Sequence, residues 1–171
     1  MDRGPFRRGA GRCRRRWLTF LELKIPPPVV MLLAGALMKG LAIHVPSAGG
    51  TWPGRGILMT VLLVLGVGAG LAGVMGFRRQ ATTVNPHRPQ QSTALVTSGI
   101  YRLSRNPMYL GMVLLLMAWA TWLGSLLALG VGPALFVLFI TRFQIIPEER
   151  ALQARFGNAY RWYAARVRRW L

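Results

Sequence analysis

Between Tyr109 and Phe143 the chain runs for 35 residues with a single charge, Arg142. As one straight helix that stretch would measure roughly 52 Å at 1.5 Å per residue, against a bilayer core of ~30 Å. One straight crossing does not fit. Gly124-Ser125 near the middle is a turn signal, so the sequence predicts two antiparallel helices, 109–123 and 126–143. Pro133 is expected to kink the second.

Two further apolar runs precede this hairpin. Val29 to Val45 is 17 residues long and carries Lys39, which can snorkel to the interface or face a polar interior. Ile57 to Phe77 has no charge at all and is long enough to cross. Within it Gly66, Gly70 and Gly73, with Gly68, Ala72 and Gly76 beside them, recur near four-residue spacing, a stripe that lets a neighbouring helix approach closely. With 53% hydrophobic residues and a mean hydropathy of +0.36, the 19.0 kDa chain is too apolar for a water-soluble domain. The expected fold class is all-α: a polytopic integral membrane protein with four transmembrane helices at about 29–45, 57–77, 109–123 and 126–143. A basic tail covers 1–24, and one membrane domain covers 25–171.

The charge pattern sets the orientation. Twenty-two Lys and Arg face only four Asp and Glu, a net charge of +18, which would suit a nucleic-acid binder if the charges shared one soluble surface. Instead they lie in three blocks separated by long apolar runs, so no nucleic-acid partner is expected. With four spans, the tail, residues 78–108 and the C-terminal segment fall on one side and hold 20 of the 22 basic residues. By the positive-inside rule that side is cytoplasmic, with both termini, and the expected location is a bacterial inner membrane. A twin-arginine export signal would need an unbroken apolar region, which Glu22, Lys24 and Pro26-Pro27-Pro28 interrupt. One cysteine, Cys13, and two distant histidines, His44 and His87, exclude a disulfide framework and leave no metal site expected. The absence of any carboxylate between Glu22 and Glu148 argues against a Ser-His-acid hydrolase.

Chemistry on the cytoplasmic side must then come from residues 78–108 and 142–171. The first segment holds Thr93-Ala94-Leu95-Val96, Tyr101-Arg102 and Arg105-Asn106-Pro107-Met108-Tyr109 at the mouth of the third span; Asn-Pro imposes a turn before that helix begins. The second holds Pro147-Glu148-Glu149-Arg150, then Leu152, Phe156, Tyr160, Tyr163 and Val167, a spacing that predicts a cytoplasmic amphipathic C-terminal helix. Glu148 and Glu149 point about 100° apart on a helix, so one can enter a pocket while the other pairs with an arginine.

The string from Leu95 to Gly111, followed by Glu148-Glu149, Leu152, Phe156-Gly157, Tyr160 and Tyr163, resembles the isoprenylcysteine carboxyl methyltransferases, which are related to membrane phospholipid N-methyltransferases. The resemblance implies an integral membrane enzyme that uses S-adenosylmethionine. It implies a cofactor pocket lined by Thr93, Ala94, Leu95, Val96, Tyr101, Arg105, Asn106, Pro107, Met108, Tyr109 and Glu148. Gln144 and Glu149 would face the acceptor. Two departures stand out: the family turn is usually Arg-His-Pro where this chain has Arg105-Asn106-Pro107, and eukaryotic members carry an arginine where it has Gln144. S-adenosylmethionine carries cations at sulfur and ammonium and one carboxylate, so an acid such as Glu148, an arginine such as Arg102 or Arg105, and aromatic surface suit it.

The expected function is methylation of a lipid or small amphiphilic acceptor at a carboxylate, thiol or amine. No catalytic acid-base residue is assigned, because in-line methyl transfer needs alignment and water exclusion more than proton transfer. A non-catalytic membrane partner with the same fold is the alternative. A small transporter would need charged residues within its spans.

Overall fold

A computed structural model describes residues 22–45, 53–79 and 95–171, and among them every regular element is helical. The elements are α1 (Pro27–His44), α2 (Arg55–Arg79), a short 3-10 turn (Gly99–Arg102), α3 (Pro107–Leu123), α4 (Leu126–Ile140), a π turn (Thr141–Ile145), α5 (Ile146–Phe156) and α6 (Asn158–Arg166).

Three helical stretches are long and apolar enough to cross a membrane: Pro27–His44, Arg55–Arg78 and the continuous run Leu126–Phe156; the shorter apolar helix is Pro107–Leu123. The last of the three long stretches has 31 residues, roughly 46 Å of helix, which exceeds a ~30 Å core and must tilt or project beyond it. Their outer faces suit lipid: Leu32, Leu33, Ile57, Val64 and Leu138 are all exposed. In water so much exposed apolar surface would drive association.

Local chemistry explains the helix ends. Pro27 and Pro107 stand in the first turns of α1 and α3, where the missing N–H costs nothing. Gly124 closes α3 with φ +65°, the left-handed conformation that glycine adopts freely, and the Ser125 hydroxyl accepts from the Ala128 N–H at 3.2 Å to cap α4. The expected turn at Gly124-Ser125 is therefore where the chain reverses. Arg55 donates to the carbonyls of Thr121 and Trp122, placing a cation on the negative end of α3. The C-terminal region departs from expectation. Instead of one amphipathic helix, α5 and α6 are separated at Gly157, whose φ is +52°, and Val167 is extended. The apolar spacing crosses this break, so periodicity alone could not reveal it.

The bundle is held by close backbone approach. Lipid offers no hydrophobic drive to pair helices, so packing must supply it. A Cβ on Gly111 would stand 2.6 Å from the Gly66 carbonyl oxygen, and one on Gly73 would stand 2.6 Å from Met108 Cγ. The working stripe on α2 is Gly66, Gly73 and Gly76; Gly70 contributes backbone to Gly111, while its own Cβ direction is open. On the other side Met38, fully buried, fills the space over Gly132, next to Pro133. The core of Val30, Met38, Leu116, Ala120, Phe136 and Ile140 ties α1, α3 and α4 together.

Gly111→Ala is expected to force α2 and α3 apart and cost about 1 to 3 kcal/mol, whereas Gly68→Ala, which meets open space, should leave stability unchanged or slightly raised. Thermal unfolding of both variants in detergent measures this; equal midpoints would refute the close approach.

Candidate active site

The site is assembled where α3 and α5 begin. Asn106-Pro107 starts α3 and Pro147 sits in the first turn of α5, so both helices present first-turn side chains to the same region. There the Tyr109 hydroxyl donates to Glu148 Oε1 at 2.5 Å. Tyr109 is buried and Glu148 half-buried. Among the described residues Glu148 forms no ion pair, whereas Glu22 and Glu149 each bind two arginines.

Glu149 turns away from its neighbour. Arg169 grips it through Nε and Nη2, at 3.0 and 2.7 Å, a fork geometry that favours carboxylates. Arg105 Nη1 approaches the same carboxylate at 3.1 Å and also donates to the Tyr160 hydroxyl at 3.1 Å. The bond from Glu149 raises the Arg169 pKa above its ordinary value. Burial, followed by Glu149, raises that of Tyr160. Arg105 Nε is buried and has no hydrogen-bond partner.

The extreme C-terminus straps the Arg105-Asn106 turn from outside. The Arg105 N–H donates to the Arg168 carbonyl at 3.1 Å, and Asn106 Nδ2 donates to the Arg169 carbonyl at 2.9 Å. Ser104, fully buried, accepts from the Asn106 N–H at 3.1 Å. Tyr163 donates to the Tyr101 carbonyl at 2.8 Å, and Tyr101 reaches the Gly73 carbonyl at 3.4 Å. The Tyr101 ring stands edge-on to Phe77 at 5.4 Å and occupies the space that a side chain at Gly76 would need. Burial, then Tyr163 and Glu148, holds the Tyr101 hydroxyl far above its usual pKa, so it remains a neutral donor.

Val96, Tyr101, Arg105, Asn106, Pro107, Met108, Tyr109, Glu148 and Glu149 thus gather at one end of the bundle. Leu95 is half-buried beside buried Val96. Thr93 and Ala94 lie outside the described residues. Gln144 stands apart from this cluster: it is fully buried and donates to the Ile25 carbonyl at 2.7 Å. The residues that sequence reasoning did not place in the site are Ser104, Tyr160, Tyr163 and Arg169. The aromatic spacing of Tyr160 and Tyr163 was a usable signal. The Arg169–Glu149 pair spans 20 residues and a helix break, beyond any local pattern.

Tyr109→Phe leaves the half-buried Glu148 carboxyl without its donor and should lower stability by about 1 to 3 kcal/mol. Tyr163→Phe should cost less, since it leaves unpaired a neutral carbonyl rather than a carboxyl. Chemical unfolding of the two variants provides the comparison, and the reverse order would count against the Tyr109–Glu148 tie.

The sequence pattern of the phospholipid methyltransferase family matches residues 55–159, a range that includes α2, the Asn106-Pro107 turn and both glutamates. A Haemophilus influenzae protein that carries the name "Uncharacterized protein" is 50% identical over 64 residues, which is 37% of this chain and 100% of that protein. Proteins of Oryza sativa subspecies indica and japonica, each named "Probable protein-S-isoprenylcysteine O-methyltransferase", are 28% identical over 158 residues, covering 90% of this chain and 80% of theirs. No solved structure matches the chain.

Proposed function

The chain belongs to the phospholipid methyltransferase family, and from that premise we propose that it transfers a methyl group from S-adenosylmethionine to a lipid or amphiphilic acceptor. The observation that carries the reading is Glu148: a half-buried carboxylate held by Tyr109 and free of any ion pair among the described residues, in a chain of net charge +18. Such a group suits a cationic ligand.

The residues present fit the cofactor. Glu148 would face its positive charge, and the unpartnered Arg105 Nε offers a donor to its carboxylate. When bound, the cofactor supplies an electrophilic methyl group on a sulfonium. The chain's task is then to align, desolvate and neutralise. Tyr109 orients Glu148. The strap formed by Arg168 and Arg169 holds the Arg105-Asn106 turn and keeps water from that side. In this reading residues 93–96 are assigned to the same site, with Glu149 on the acceptor side through its hold on Arg105; Gln144, turned to the Ile25 carbonyl, takes no part in it.

The reading extends to the whole chain: a basic tail over 1–24 and one membrane domain over 25–171, with Pro107–Leu123 as a fourth span. The basic residues, 20 of 22 on the side of the site, support a cytoplasmic location for that side.

Two measurements test this. Calorimetry in detergent should give S-adenosylmethionine binding by the wild-type chain, weakened in Glu148→Gln by about one to two decades, the equivalent of roughly 1.5 to 3 kcal/mol for a charge-assisted contact. No binding by the wild type would favour a non-catalytic partner with the same fold. In a Cys13→Ser background, a cysteine at Gly49 should react with an impermeant reagent from outside and one at Gln91 should not. The opposite labelling would reject the orientation.

A further inference from the structure

A groove of about 520 Å³ opens between α1 and α4, away from the Glu148 cluster. Leu33 and Leu37 of α1 and Leu138 and Phe139 of α4 line it, with Ile25 and Phe143 at the end where α1 begins and α4 finishes. All its lining side chains are apolar. Leu33, Leu37 and Leu138 are exposed on helices long enough to cross a bilayer, so the groove is open to hydrocarbon and closed to charged solutes.

The end near Phe143 has a different character. Arg142 stands over the Phe143 ring, 5.3 Å from its centroid, and shares Glu22 with Arg150 at 2.7 and 2.6 Å. Two guanidiniums on one carboxylate leave one positive charge in excess. Their side chains are 40% and 58% exposed, so both can still donate outward. Gln144 fixes this end by its bond to the Ile25 carbonyl, and the Leu23 N–H joins the Phe143 carbonyl at 3.0 Å.

An apolar channel of chain-like character ending at paired arginines complements one molecule type: an amphiphile with a hydrocarbon tail and an anionic head. We propose that the α1–α4 groove is a binding site for an anionic phospholipid, one acyl chain lying in the groove and its phosphate meeting Arg142 and Arg150. A phosphate accepts from arginine in the same fork geometry as a carboxylate, and the excess charge favours a lipid of net negative charge over a zwitterionic one. The groove shares no lining residue with the Glu148 cluster, so the bound lipid is a resident ligand rather than the acceptor. Occupancy would pin the segment before α1 to the π turn and stabilise the folded chain by mass action. This inference does not depend on the methyl-transfer reading.

The test uses the full chain in detergent, titrated with phosphatidylglycerol or phosphatidylcholine of identical acyl chains, read by native mass spectrometry and by thermal midpoint. Phosphatidylglycerol should be retained as a single adduct and raise the midpoint, with at least tenfold weaker retention of phosphatidylcholine. Arg150→Gln should abolish most of that preference. Leu37→Trp, placed at a lipid-exposed position so that folding is spared, should fill the groove and lower retention of both lipids. Glycerol phosphate alone should do nothing. Equal retention of the two lipids by the wild type, which requires no variant to fold, would overturn the proposal. So would an adduct that survives both substitutions, or a midpoint shift produced by glycerol phosphate without a chain.

Discussion

The hydrogen bond from Tyr109 to Glu148 joins the first turns of two helices 39 residues apart in sequence, and the geometry of the candidate site follows from it. Carboxylates are scarce in this chain, and each described one closes a junction between elements. Glu22 ties the segment before α1 to the π turn and α5 through Arg142 and Arg150. Glu149 ties α5 to the Arg105 turn and the C-terminal strap. Glu148 alone among them is held by a neutral hydroxyl. In the proposed function a cationic ligand faces it.

That arrangement depends on how closely α2 and α3 approach. Gly66 and Gly111 bring the two backbones together, and further along the same interface Gly73 and Gly76 admit Met108 and Tyr101. Packing and candidate site thus share one interface: the glycines that replace a hydrophobic drive in lipid also set the depth at which Met108 and the Tyr101 ring lie. Bulk at Gly76 would strike the Tyr101 ring before it disturbed the far end of the bundle.

Much of this was legible in the residues. Apolar runs and the Gly124-Ser125 turn located the helices, because length, polarity and glycine's access to positive φ are local properties. The two motifs, one before α3 and one at α5, named residues that the fold brings together in the candidate site. The rest was hidden for physical reasons. Gly157 breaks a helix whose apolar spacing continues across the break. Arg169 reaches Glu149 through chain reversal, so no helical interval encodes the pair. Gln144 sits one turn before Glu148 in sequence, yet the π turn and the Ile25 carbonyl direct it into a different contact.

Methyl transfer at the Glu148 cluster, as proposed, is measured most directly by incorporation. Purified protein in nanodiscs made from native lipid extract is incubated with S-adenosylmethionine carrying a labelled methyl group, and the organic-phase lipids are counted for wild type and Glu148→Gln. Label should appear in the lipid fraction with the wild type, with a loss of about one to two decades in rate with the variant. Label that accumulates equally in both, or in neither while the cofactor binds, would contradict the proposed transfer.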